Sequence, residues 1–302
     1  MRIYVSSVCV NVLLILGISS FSASVELPED WKQYIKNIAT KFEEGKLEKD
    51  FQLVIPPRCK TTEKPNASLY TLPNVYLWDP LSQYADIYTR FPFTCPRHED
   101  TLLTPKQWTD GSTNALNPRV ILDTNGPGLL IARNYYCNSG ETRHYVRATD
   151  GDLMNRIAKR LHRPFKMTHK YTFTNSYAQR LRDSVSNGIS FNHLQSNYIE
   201  WQLQDCAERK QRFDWHKTLW DNDNTDITEQ DGTLSNEYED IFNMHRQRMI
   251  ELCPSDDLLC DIFLKDFESR KSLYEEAMRL TQTTNALMAD HTFKVCKMFI
   301  SS

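Results

Sequence analysis

Two cysteine-containing turns in the middle of the chain hold the residues best suited to chemistry. The first, Cys95-Pro96-Arg97-His98, places a thiol and an imidazole three residues apart, and the second carries Cys137. Zinc needs four sulfur or nitrogen donors at the corners of a tetrahedron, and paired tight turns (knuckles) commonly supply them. This pattern predicts a structural zinc site that includes Cys95, His98 and Cys137.

The fourth ligand is left open by the spacing. Gly140 stands where a second knuckle would carry another cysteine, and Glu141, His144 and the distant Cys59 are the alternatives. We include His144 in the candidate set. The competing interpretation has no cofactor: a Cys95–Cys137 disulfide holds the same two turns, and an oxidising compartment favours it.

A second pair of cysteines flanks the turn between two predicted helices near the C-terminal end. Cys253 and Cys260 are close enough in sequence for a disulfide to pin the helical hairpin. A disulfide requires the two Cα atoms to lie within about 7 Å of each other, which spacing alone does not establish. The same cysteines could equally be buried apolar residues.

A basic stretch offers a candidate nucleic-acid site. Eight lysines and arginines, with no acidic residue among them, lie between Asp152 and Asp183. A predicted helix-turn-helix hairpin follows, so the stretch could contact the phosphates of duplex DNA. The alternative is a solvated helix face with basic loops. The candidate contact residues are Arg156, Lys159, Arg160 and Arg163.

The N-terminal residues predict export. A short basic start, Met1-Arg2, precedes an apolar run from Val8 to Ile18 and then several small residues, which is the layout of a signal peptide over 1–24. Removing Arg2 would change the formal net charge from -3 to -4, so any polyanion site must be local. No later run is apolar enough to span a membrane, and we expect a secreted protein.

A glycosylation sequon agrees with export. Asn66-Ala67-Ser68 lies in a polar loop next to a proline, where an oligosaccharide could be attached to Asn66. The sequence contains no glycine-rich phosphate loop, no zinc-protease motif and no hydrolase nucleophile motif. A zinc-dependent hydrolase at Cys95, His98 and Cys137 would also lack a general base in any recognisable motif. We therefore expect a protein that is not an enzyme.

Periodicity and turn signals predict an α+β fold: a small β-rich, zinc-ribbon-like module flanked by helices, then a helical region and one terminal strand. Trp31, Ile35, Ile38 and Phe42 define the first helix, and 120–122 with 129–136 define a hairpin. The predicted order is signal peptide 1–24, helix and loop 25–74, ribbon-like module 75–176, helix-turn-helix-like hairpin 177–217, acidic linker 218–236, and a helical hairpin with a strand 237–302.

The order of these motifs resembles an uncharacterised domain of eukaryotic transposase-derived proteins. The resemblance is carried by Leu77-Trp78-Asp79-Pro80, Cys95-Pro96-x-His98, Trp108-Thr109-Asp110-Gly111, Asn117-Pro118-Arg119, Leu129-Leu130-Ile131, Tyr136-Cys137-Asn138-Ser139-Gly140 and Pro164-Phe165. It implies a presumed zinc site, a helix-turn-helix-like segment and then a ribonuclease-H-like core.

The resemblance also explains Asp290. It implies that Asp290-His291-Thr292-Phe293-Lys294 matches the first strand of that core and that Asp290 is a vestige of its first metal-binding acid. Two-metal phosphoryl chemistry needs further carboxylates, so no catalysis is expected. We expect a non-catalytic secreted protein, derived from a transposase, that binds an unknown protein partner. The alternative is a nuclear, DNA-binding remnant with a degenerate zinc site.

Overall fold

The structure is a computed structural model that describes residues 27–48, 50–51, 53–54, 56, 60, 62–108, 118–139, 142–158, 163–168, 171–223 and 234–280. Several predictions fall outside these residues and stay predictions. They concern the signal peptide, Cys59, Glu141, Lys159, Arg160, the middle of the acidic linker, Asp290 and the terminal strand.

The first helix confirms its apolar periodicity. Helix α1, Glu29–Glu43, buries the stripe formed by Trp31, Ile35, Ile38, Ala39 and Phe42. It ends just before Gly45, whose φ of 70° is the left-handed conformation that glycine adopts without a steric penalty. The buried stripe packs with Val75, Leu77, Leu129 and Ile131 of the central sheet.

The strands form one eight-stranded sheet around which the chain is built. Their bounds are β1 Leu53–Val54, β2 Asn74–Trp78, β3 Leu103–Trp108, β4 Arg119–Asp123, β5 Gly126–Ser139, β6 Thr142–Arg147, β7 Phe165–Met167 and β8 Thr172–Thr174. The main path runs β1-β2-β5-β4-β8-β7, and β3 and β6 pair with β5 away from this path. The β2–β5 and β4–β8 pairs are parallel, and the other pairs are antiparallel.

Strand β5 is shared by two parts of the sheet. Its first half, from Gly126 to Ala132, pairs with β2 on one side and β4 on the other. Its second half, from Arg133 to Ser139, pairs with β3 and β6 instead. The first half is almost entirely buried because it lies between layers of the core. The second half carries the cysteine of the predicted metal site.

Short helices connect the strands. They are α2 Ala67–Tyr70, α3 Pro80–Gln83, α4 Ala85–Tyr88 and α5 Gly151–Ala158. Side chains of Asn66 and Asp79 accept hydrogen bonds from the first backbone amides of α2 and α3, as N-cap residues do. Asp79 also accepts a 2.6 Å hydrogen bond from the buried Tyr135 hydroxyl, which ties α3 to β5.

Four longer helices form the remaining layer. They are α6 Asn175–Ser186, α7 Phe191–Asp223, α8 Leu234–Glu251 and α9 Asp256–Leu280. The hairpin of α6 and α7 turns at Gly188, whose φ is 80°. The Ser190 hydroxyl accepts from the backbone amide of His193, as an N-cap residue does. Helix α7 continues past position 218, where the acidic linker was predicted to begin.

The α+β class is confirmed, but the β region is larger than a small ribbon. The sheet includes β1, which precedes the predicted module of residues 75–176. It also includes three strands that have no clear signal in the sequence, β3, β7 and β8. Within the described part of the chain, no helix is both long enough and apolar enough to cross a membrane.

Candidate metal centre

Four cysteine and histidine side chains converge at the distal end of β5. The potential ligand atoms of Cys95, His98, Cys137 and His144 all lie within 4.8 Å of one another. Both cysteines are buried, and both histidines are half-buried at the edge of the cluster. The structure therefore brings together all four metal-site candidates from the sequence, including His144, and this group could hold a metal ion.

The first two ligands come from a knuckle between two short extended segments. Thr94 and Leu102 form an isolated β-bridge, and the Cys95 amide donates a 2.9 Å hydrogen bond to the Thr101 carbonyl. Inside the turn, the Arg97 amide lies 3.4 Å from the Cys95 sulfur. This amide–sulfur contact is suited to stabilising a thiolate, because it directs a partial positive charge at the sulfur.

The other two ligands do not come from a second knuckle. Cys137 of β5 and His144 of β6 are direct antiparallel partners, with Ser139 and Thr142 as the last pair before the turn. Partners across antiparallel strands project on the same face of the sheet with Cβ atoms about 5 Å apart. The hairpin thereby offers one thiol and one imidazole side by side, facing the knuckle.

Distances among the donors match tetrahedral coordination. Bond lengths of about 2.3 Å to sulfur and 2.0 Å to nitrogen would place sulfur and nitrogen roughly 3.6 Å apart around a tetrahedral zinc ion. The Cys95 sulfur lies 3.3 Å from Nε2 of His144 and 3.9 Å from Nδ1 of His98. Nδ1 of His98 lies 3.4 Å from the Cys137 sulfur. These separations bracket the expected value.

The protonation state of Cys137 would change on binding a metal ion. Burial raises the pKa of the Cys137 thiol, and its hydrogen bond with Cys95 acts in the same direction. Both effects favour the neutral form of the Cys137 thiol when no metal is present. A bound divalent cation would reverse this preference, because a coordinating thiol loses its proton.

Arg156 of α5 holds the knuckle from outside. Its guanidinium donates hydrogen bonds to the backbone carbonyls of Cys95, at 3.3 Å, and Pro96, at 3.0 Å. It also forms a 2.8 Å ion pair with Glu99. Sequence reasoning assigned this arginine to phosphate contact, but the structure uses it to fix the backbone that carries two candidate ligands.

Ser139 is a functional candidate that sequence reasoning missed. Its hydroxyl lies 3.1 Å from Nδ1 of His98, and it is the partner of Thr142 at the end of the β5–β6 hairpin. Because Nδ1 is also the His98 atom nearest the two sulfurs, this contact would be replaced when a metal ion binds there. The signal was available, since the alternation that places Cys137 on the inner face also places Ser139 there.

The predicted disulfides are not formed. Cys95, Cys137, Cys253 and Cys260 are all free in the structure. At the metal centre, imidazoles stand next to each sulfur, so the thiols pack with histidines instead of bonding to each other. The Cys253 thiol donates to the carbonyl of Met249 at 3.2 Å, and burial raises its pKa to about 12. Cys253 is therefore a neutral, half-buried thiol, close to the alternative of a buried apolar residue.

Of the remaining nucleic-acid candidates, only Arg163 lies within the described residues. Arg163 precedes β7 and is partly buried, while Lys159 and Arg160 lie outside the described residues. Two further cations of the basic stretch, Lys166 and Arg182, form ion pairs with the carboxylate of Asp266 on α9. Asp266 is buried, and the hydrogen bonds from these two cations hold its pKa below the usual range although burial opposes this.

Asn66 remains accessible for the predicted glycosylation. It is exposed at the start of α2, and its carbonyl oxygen accepts a 3.0 Å hydrogen bond from the Ser68 amide. Attachment of a glycan at the amide nitrogen would leave this oxygen in place. The helix cap is therefore compatible with the modification.

Comparisons with known proteins give no match: no family model, no curated protein and no solved structure resembles the chain. The resemblance to transposase-derived proteins accordingly stays a prediction that rests on the short motifs alone.

Proposed function

We propose that this protein is a non-catalytic binding protein whose sheet is stapled by one structural zinc ion held by Cys95, His98, Cys137 and His144. The observation that carries the proposal is the convergence of these four donors within 4.8 Å from two separate hairpins. Four protein ligands complete a tetrahedral shell, whereas a catalytic zinc keeps a position open for water or substrate. The ion would then hold the knuckle against the β5–β6 hairpin.

The choice of zinc follows from the donor set. Calcium and magnesium prefer oxygen ligands and larger coordination numbers. Two thiolates and two imidazoles at tetrahedral spacing suit zinc, which has no geometric preference of its own and no redox chemistry. Arg156 would act in the outer shell, by fixing the knuckle backbone.

Export and a transposase origin remain part of the proposal. The N-terminal pattern supports export, and the order of motifs supports the origin. In an oxidising compartment a Cys95–Cys137 disulfide would compete with zinc, so a filled site would also protect both thiols. The intact mass of protein secreted from eukaryotic cells, with and without reduction, tests cleavage near Val25, glycosylation and the thiol state together.

Duplex-DNA binding by the basic stretch has less support. Arg156 is bonded to the knuckle, and Lys166 and Arg182 are paired with Asp266. Cations that neutralise buried or backbone partners contribute little to phosphate binding, which depends on releasing counterions from DNA. This alternative predicts a salt-dependent affinity for duplex DNA that falls when Arg156, Lys159 and Arg160 are neutralised, and the absence of salt dependence would refute it.

The metal content of purified protein tests the zinc site. We expect one zinc per chain in protein purified under reducing conditions, measured by mass spectrometry of the metals. His144→Asn removes one ligand and should lose the ion, whereas His193→Asn, on the exposed side of α7, should keep it. A wild-type chain without stoichiometric metal, or a His144→Asn variant that retains the ion, would refute the site.

A further inference from the structure

The sheet face opposite the metal ligands is basic, aromatic and exposed. Residues on alternate sides of a strand face opposite ways, so the inward His144 leaves Arg143 and Tyr145 on the outer face of β6. Tyr136 is the direct partner of Tyr145 on β5, and Lys106 of β3 lies 5.9 Å from the centre of the Tyr136 ring. We call these residues, together with Arg147, the outer face.

The charge of the outer face is opposite to that of the whole chain. Of the four lysines and arginines in strands β3, β5 and β6, three lie on the outer face (Lys106, Arg143 and Arg147), whereas Arg133 is paired with Glu43 of α1. The three strands contain no aspartate or glutamate, while the chain has a formal net charge of -3. Glu141 follows β5 in the sequence and lies outside the described residues. A local excess of cations on a mildly acidic protein focuses its field on one surface.

The aromatic rings are available for stacking. Tyr145 is 54% exposed, which is a high value for an aromatic side chain. Its ring lies 5.6 Å from that of Tyr136 at an angle of 56°. Along β6 a cation, an aromatic residue and a second cation alternate on this face, at Arg143, Tyr145 and Arg147. Neighbouring members of this row are two residues apart, so the rise along the strand separates them by about 7 Å.

We propose that the outer face binds a single-stranded nucleic acid. A sheet face that presents tyrosines between cations can stack unpaired bases and contact the phosphates at the same time. In a duplex the faces of the bases are already stacked, so Tyr145 would have no ring to contact. A sulfated glycan would satisfy the cations but has no aromatic rings. Exposed rings and cations together therefore fit a single strand best.

This inference deepens the proposed function, since the metal site sets the position of the face. His144 lies between Arg143 and Tyr145 on β6. A zinc ion on His144 would hold β6 against the knuckle, with the two outer residues held in register with Tyr136. Removal of the metal is expected to loosen β6 and weaken the binding of the strand.

Fluorescence anisotropy with a labelled 20-nucleotide oligothymidine, on the full-length zinc-loaded chain, tests the proposal. We expect binding that weakens as salt rises, and Tyr145→Leu should weaken it about tenfold or more, as loss of one stacked base does. Arg143→Gln should weaken binding and reduce its salt dependence. Tyr274→Leu and Lys271→Gln, both on α9, are the matched controls and should bind as the wild type does.

Several outcomes would overturn the proposal. They are the absence of salt-dependent binding by a chain that carries zinc, an equal loss in the α9 controls, and tighter binding of a 20-base-pair duplex or a heparin oligosaccharide than of oligothymidine. The zinc content and circular dichroism of each variant separate loss of contact from misfolding. If the chain carries zinc but does not bind oligothymidine, the proposed nucleic-acid site on the outer face is refuted and the proposed zinc site is supported. If wild-type protein purified without zinc binds oligothymidine, the proposed zinc site is refuted and the proposed nucleic-acid site is supported.

Discussion

Acidification should destabilise the protein through one buried histidine. His245 of α8 is 1% exposed, and no hydrogen-bond partner is present for either ring nitrogen. Its ring makes an edge contact with Trp31 of α1, at 6.2 Å between centres. Burial, together with the positive charges of Arg209 on α7 and Arg248 on α8, lowers its pKa to about 3.

The sign of the effect follows from proton linkage. The histidine is neutral in the folded protein, whereas in the unfolded chain it binds a proton below a pKa of about 6.5. The stability is therefore fully present above pH 6.5 and is lost as the pH falls from there toward the folded pKa of about 3. At pH 5 the free energy of unfolding should be lower by about 2 kcal/mol from His245 alone.

A difference between two variants isolates this contribution. Urea unfolding of the wild type and of His245→Leu is measured at pH 7.5 and pH 5.0. Leucine has a similar volume and leaves no nitrogen unpaired, so the variant should lose about 2 kcal/mol less than the wild type on acidification. His193→Asn, which removes an exposed histidine, should retain the wild-type difference. Equal pH differences in the wild type and His245→Leu would refute the reasoning.

Three further substitutions test the packing around the sheet and the metal centre. Arg156→Gln should weaken zinc binding about 10-fold or more, as loss of outer-shell partners does, measured by competition with a chelator. Asp266→Asn leaves Lys166 and Arg182 without their carboxylate and should cost about 3–5 kcal/mol in urea unfolding. Gly128→Ala should cost about 1–3 kcal/mol, because a Cβ at Gly128 would lie 3.0 Å from the Asn74 backbone oxygen.

Each of these has a control and a refuting result. Arg163→Gln should leave the zinc affinity unchanged, and an equal affinity in the Arg156 variant would remove its role at the knuckle. Asp261→Asn, at an exposed position on α9, should cost less than about 0.5 kcal/mol, as surface changes usually do. If the Gly128→Ala variant unfolds with the same free energy as the wild type, β2 and β5 can move apart to accept the Cβ without a loss of stability.

The metal centre could be predicted from the sequence more fully than the sheet could. Cys95 and His98 are recognisable because a knuckle is a local motif whose spacing is set by one turn. Cys137 and His144 are seven positions apart, and their pairing depends on the register of a hairpin. A two-residue turn after Ser139 puts them opposite each other, so alternation along the strands would have identified His144 over the other candidates.

The missed strands have a common cause. β7 and β8 have three residues each, too few to show a period of two, and β8 is held in the sheet by parallel pairing with the distant β4. β3 contains Pro105, which ordinarily argues against a strand, and the register of β3 shifts next to that proline. Such pairings depend on long-range contacts that local patterns do not contain.

Arg156 shows the limit of charge patterns. A run of cations in a sequence does not reveal which of them face solvent. Here the same helix turn that displays Arg156 also brings it to the carbonyls of the knuckle. Whether such an arginine contacts a phosphate or a backbone carbonyl depends on its burial and on the backbone geometry of the folded chain.

The division of β5 implies two levels of local stability. The first half of the strand is enclosed by β2, β4 and the core, whereas the second half depends on β3, β6 and the four metal ligands. Removal of the ion should let the distal half open while the proximal half stays closed, in the manner of separate cooperative folding units. Backbone amides of 133–139 would then exchange with deuterium far sooner than those of 126–132. The nascent chain could also complete its core before it acquires the ion.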